Sequence, residues 1–130
     1  MIGGRVLDAD ALTGFATGRP VYVRALVWAA VEENVVLAVP SSALTRVWAE
    51  LDPVDHPALD VLLDLPITVI EELDRPAARE VGTLLAGFDP AEVDLGQVLR
   101  CARRRGWPVV TTRSGTLRKL DHAVQVEEMP

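Results

Sequence analysis

Apolar and polar positions follow two spacings along this chain. Across residues 21–33 the apolar side chains fall at Val23, Leu26, Val27, Ala30 and Val31. That three-and-four spacing predicts an amphipathic helix ending near Asn34. Immediately afterwards Val35-Val36-Leu37-Ala38-Val39 runs without a polar break and is mostly β-branched, the mark of a strand buried on both faces. Shorter apolar runs predict strands at Arg5-Val6-Leu7 closed by Asp8, at Ile67-Thr68-Val69-Ile70, at residues 107–111 and at residues 123–126. Helical spacing fills the intervals at residues 10–17, 43–51, 56–65, 76–86, 91–105 and 114–120. The punctuation agrees. Gly18-Arg19-Pro20 breaks the first helix and Pro66 stops the fourth. Pro40-Ser41-Ser42 offers a turn and an N-cap. Pro76 suits a first helical turn, and Gly87 and Gly106 suit helix ends.

The resulting order is β, α, α, β, α, α, β, α, α, β, α, β. Such alternation predicts an α/β fold with a parallel sheet and helices on both faces. No repeat, low-complexity tract or linker interrupts it, so a single domain over residues 1–130 is expected. Composition adds limits. Hydrophobic residues make up 49% and charged residues 25%, an ordinary globular balance. The formal net charge of −6 excludes a polybasic nucleic-acid glove and leaves room only for a local basic patch. The single cysteine, Cys101, excludes an internal disulfide framework. The start of the chain carries no long apolar h-region, and no apolar run is long enough to cross a bilayer. A cytoplasmic protein without membrane contact is the expectation.

Candidate chemistry begins at VLDADAL, residues 6–12, where Asp8 directly follows an apolar strand. In parallel sheets ligands bind at the carboxyl ends of the strands, beside the point where strand order reverses. Asp8 belongs to that edge. So do Asp89, Glu92 and Asp94, which open the helix before the fourth strand, together with Ser41, Ser42 and Thr45 after the second strand and Thr111-Thr112-Arg113-Ser114 after the fourth. Gathered carboxylates repel unless protons or a cation compensate, and hard oxygen ligands suit Mg²⁺ or Mn²⁺. The structural alternatives are that Asp10 is a plain N-cap and that Asp89, Glu92 and Asp94 answer the helix dipole.

Three stretches in order, VLDADAL, PSSALTRVW and DLGQVLRCARRRGWPVVTT, resemble the PIN domain family, above all toxins of the VapC type, and the resemblance covers nearly the whole chain. It implies a three-layer α/β/α fold with five parallel strands in the order 3-2-1-4-5. It implies a Mg²⁺- or Mn²⁺-dependent ribonuclease, with a small antitoxin protein, RNA and a second copy of the chain as partners. Position by position, Asp8 stands for the family's first acid and Asp94 for its third, with Asp89 and Glu92 as alternative registers. Asp10 and Thr111 stand at supporting positions. The second acid, a glutamate in the family, falls where this chain has Arg46, with Glu50 four residues on. The fourth falls in Thr111-Thr112-Arg113-Ser114, which has no acid. Two acids of four are therefore missing, and an arginine stands near each gap. A guanidinium in the cation's seat competes with a metal. Arg46 and Arg113 are accordingly candidates either to hold a substrate phosphate or to replace the metal. Two functions follow: a nuclease with a degenerate acidic site, or an inactive module that binds RNA or a protein.

The remaining features have plainer readings. Arg100, Arg103, Arg104 and Arg105 end a helix and read as a solvated C-terminus where cations complement the dipole, with a nucleic-acid contact as the alternative. Trp28, Trp48 and Trp107 are too scattered for base stacking and belong to a core or an interface. Cys101 reads as a small buried hydrophobe. His56 and His122 make no zinc spacing with it. Asp8-Ala9-Asp10 is not a glycine-rich dinucleotide turn, and there is no P-loop. A receiver domain would need an aspartate where the third strand ends in Ile70-Glu71-Glu72.

Overall fold

The computed structural model describes residues 3–130, so the first two positions of the domain expected over 1–130 lie outside the described residues. Five strands form one all-parallel sheet: β1 (Gly4–Leu7), β2 (Val36–Pro40), β3 (Thr68–Glu71), β4 (Val109–Thr111) and β5 (Val126–Glu128). Their spatial order is β3-β2-β1-β4-β5. Seven helices connect them: α1 (Ala9–Thr17), α2 (Tyr22–Glu33), α3 (Ser41–Glu50), α4 (His56–Asp64), α5 (Arg75–Leu85), α6 (Val93–Arg105) and α7 (Ser114–Leu120). A single 3-10 turn, Pro53–Asp55, precedes α4. The α/β class and the 3-2-1-4-5 order are those expected.

The central strands are buried because their side chains are apolar on both faces. Val6, Leu7, Leu37, Ala38, Val39, Val109 and Val110 are fully buried. The edge strand β3 differs, with Val69 and Ile70 partly open to solvent. Helix α6 packs on β1, β2 and β4 and against α5, while α1 packs against α2, α3 and α4. Gly96 sets the close approach of α5 to α6, since a Cβ there would meet Val81 Cγ1 at 2.9 Å.

Some local expectations need correction. No side chain of Pro40-Ser41-Ser42 caps a helix; α3 starts at Ser41 straight out of β2. The Ser41 and Ser42 hydroxyls are committed elsewhere: Ser41 Oγ accepts from the Leu73 amide, and Ser42 donates to Gln97 Oε1 through both its amide and its hydroxyl. The fifth strand lies three residues later than predicted because an Asp121 turn, accepting from the Ala123 amide, occupies the segment before it. The fourth strand begins at Val109 rather than residue 107. His56 opens α4, as the helical spacing from residue 56 predicts, with its ring edge-on to Trp48 at 4.9 Å between centroids. Trp28 is 69% exposed and belongs to no core.

Candidate functional site

Adjacent strands β1 and β4 lead in opposite directions across the sheet, and Asp8 ends β1 at that divide. The Asp8 amide donates to Val110 O. Its carboxylate is the N-cap of α1, with Oδ1 accepting from the Ala11 amide at 2.9 Å. The capping role weighed for Asp10 therefore falls to Asp8. Asp10 lies in the first turn, where the helix dipole favours an acid, and accepts from the Thr112 hydroxyl.

A cleft of about 260 Å³ opens beside Asp8, lined also by Asp10, Thr13, Arg46, Asp94 and Arg113. The fold thus brings Asp8, Asp10, Arg46, Asp94 and Arg113 to one place from four separate segments. Thr111 lies directly beneath, fully buried, its Oγ1 accepting from the Arg113 amide at 2.7 Å. Ser41, Ser42 and Thr45 do not join the cleft. Thr45 donates to Ser41 O within its own helix. Asp89 stays outside in an exposed turn, accepting from the Ala91 amide.

Ion pairing organises the rim. Arg46 Nη1 donates to Asp94 Oδ1 at 3.0 Å while its Nε donates to Glu50 Oε1 at 3.1 Å. Arg113 grips Glu92 with both terminal nitrogens, at 3.0 and 3.1 Å. Such two-point guanidinium–carboxylate contacts fix geometry as well as charge. The Glu50 bond first, then Asp94, raises the pKa of Arg46; the Glu92 bond does the same for Arg113. Both cations are permanent. Asp8 has no such partner. Burial pushes its carboxyl up from 3.8 to about 6, against the lowering effects of the Thr111 hydroxyl, the Ala11 amide and, more weakly, Arg113.

Part of this donor set is already committed within the protein. Hard divalent ions need several free carboxylate oxygens converging on one point. Here Asp94 is engaged by Arg46, Asp8 is engaged in a helix cap, and two guanidinium charges stand at the same cleft. Among the described residues no group of three or more histidine, cysteine, aspartate or glutamate side chains converges to hold a metal ion.

Two polar clusters escaped the sequence reading. Gln97, fully buried, accepts from Ser42 and donates to Glu71 O at 2.9 Å, joining α3, β3 and α6. Its signal was a glutamine at a core register of α6, between Leu95 and Val98. Glu71 is buried and held by Arg104 at 3.0 Å and Arg105 at 3.1 Å. The helix-end arginines are therefore not simply solvated. Burial alone would raise the Glu71 pKa, but Arg105 and Arg104 outweigh it and lower it. Cys101 is buried as expected, and burial, with Glu71 beside it, pushes its thiol up to about 12.

Comparison with known proteins bears on the fold. No family model matches the chain, and no curated protein matches it. Among solved structures, VapBC2 from Rickettsia felis, bound to a DNA fragment from its promoter, superposes with a TM-score of 0.74 at 14% identity, over 98% of this chain and 99% of that one. FitAcB from Neisseria gonorrhoeae superposes with a TM-score of 0.61 at 21% identity, over 94% and 95%. Both are toxin–antitoxin complexes. At such identities the likeness carries the fold alone. The assignment to the PIN domain family, read from VLDADAL, PSSALTRVW and DLGQVLRCARRRGWPVVTT, is therefore corrected: no family match upholds it, the similar structures are two-component complexes rather than nucleases alone, and the chain is similar to them in fold.

Proposed function

We propose that this chain is a non-catalytic, partner-binding module of the toxin–antitoxin kind. The observation that carries the reading is the pair of built-in cations at the cleft: Arg46 on Asp94 and Arg113 on Glu92. A tethered guanidinium gives Asp94 its counter-charge without a bound ion, which competes with a metal for that carboxylate. The similar chains of VapBC2 and FitAcB come from two-component assemblies, which supports a protein partner for this one. The overall charge of −6 favours a protein over a polyanionic nucleic acid. Among the described residues no helix is long and apolar enough to cross a membrane.

One observation favours a second reading, a weak Mg²⁺- or Mn²⁺-dependent RNA hydrolase. Asp8 and Asp94 line the same cleft beside the strand divide, where a catalytic site would lie. In that reading Asp10 and Thr111 support Asp8, and the arginines hold substrate phosphate. An RNA-cleavage assay in Mg²⁺ and Mn²⁺, run on the wild type and on Asp8→Ala, separates the two. Equal background rates are expected. Cleavage that Asp8→Ala abolishes would overturn the non-catalytic reading.

A further inference from the structure

We propose that the groove between α5 and α6 is the docking site for an acidic, leucine-bearing segment of a partner protein. The proposal rests on the partner-binding reading above and names the surface that does the binding. The groove encloses about 570 Å³, within the roughly 300–1,000 Å³ typical of ligand sites. One wall is the α5 face carrying Arg79, Glu80, Thr83 and Leu84; the other is the α6 face carrying Arg100, Arg103 and Arg104. Its close-set walls follow from Gly96, which lets α5 lie against α6. The lining is mostly apolar, supplied by Leu84 and by arginine methylene stems, which cover apolar surface while their heads stay wet.

The charge is what selects the occupant. Four arginines and one glutamate line this groove in a chain whose net charge is −6. Glu80 neutralises Arg100. Arg79 has no ion pair or side-chain hydrogen bond among the described residues. Arg103 meets Asp121 only at 3.7 Å and is 57% exposed. Arg104, 55% exposed, shares Glu71 with Arg105. Three guanidinium groups thus present unused donors around an apolar trough. Carboxylates on a peptide answer the donors, and an aliphatic side chain between them fills the trough. A nucleic acid would find phosphate contacts but no aromatic ring in the lining on which to stack a base.

The test is fluorescence anisotropy with a labelled peptide of alternating leucine and glutamate pairs. Controls are the same peptide with glutamine for glutamate and a labelled RNA oligonucleotide of equal length. The double variant Arg79→Glu, Arg103→Glu reverses two exposed charges without touching the core, and its thermal melt checks that it folds. Saturable binding of the acidic peptide is expected, weakened by about tenfold or more in the double variant, as expected when two partly exposed contacts become repulsive. Binding should weaken with salt. Absence of binding, equal binding by the double variant, or equal binding of the glutamine peptide or the RNA would overturn the proposal. So would self-association of the wild type that the double variant abolishes, since the groove would then hold a second copy. None of these outcomes touches RNA cleavage, so the groove can fail while the non-catalytic reading stands.

Discussion

Replacing Asp8 with asparagine should stabilise the protein at neutral pH. Asp8 is buried with its carboxyl raised from 3.8 to about 6. The folded state therefore binds a proton more tightly than the unfolded one, and the charged form burdens the fold once pH exceeds the folded value. A rise of roughly two pH units, at about 1.4 kcal/mol each, makes that burden about 3 kcal/mol above pH 6. Below about pH 3, under both values, the carboxyl is protonated in both states and the burden disappears. Asparagine removes the charge and remains a good N-cap for the Ala11 amide. Urea unfolding of wild type and Asp8→Asn should therefore show a gain of about 3 kcal/mol at pH 8, shrinking to about 1 kcal/mol at pH 4.5. For a chain of this size the larger figure corresponds to a melting shift of about 10 °C. A loss of stability at pH 8, or a gain that does not change with pH, would refute the reasoning. Either would mean that Arg113 and the Thr111 hydroxyl compensate the buried charge.

Other positions give sharper structural tests. Gln97→Leu should cost about 2–4 kcal/mol in urea unfolding, because the Ser42 amide and Glu71 O lose their partners inside the core. Glu71→Gln should destabilise by about 1–3 kcal/mol at pH 7, because it uncouples Arg104 and Arg105 from a buried acid. The lowered pKa of Glu71 means that its contribution is present above its unfolded value and fades as pH falls through the folded one, so the variant's deficit should narrow in acid. Cys101, fully buried and raised to about 12, should resist iodoacetamide at pH 8 in the folded protein and react promptly in urea.

The sheet was legible because its central strands are apolar on both faces, and runs such as Val35 to Val39 have no other economical home. The helices were legible from their spacing, and α7 lies at Ser114–Leu120 as predicted, with the Asp121 turn delaying only the strand that follows. β5 was placed too early because Glu127 and Glu128 break the apolar run. Asp8 stood out because an acid closing an apolar strand needs a reason. That the reason is a helix cap required knowing where the Ala11 amide points. The pairs Arg46–Asp94 and Glu71–Arg104 join residues far apart in the chain, and no local pattern announces them. What the sequence did show at the rim was an arginine at each place where an acid was missing. The structure adds that both arginines hold neighbouring carboxylates.

The most direct test is calorimetric titration of Mn²⁺ into the wild type at pH 7.5, with Asp8→Ala and Arg46→Glu alongside. If Arg46 supplies the counter-charge of the cleft, the wild type and Asp8→Ala should show no specific binding heat. Arg46→Glu, which removes the tethered cation and adds a carboxylate beside Asp94, should then acquire a Mn²⁺ site. Saturable binding by the wild type that Asp8→Ala abolishes would contradict the replacement of metal by arginine and return the cleft to metal chemistry.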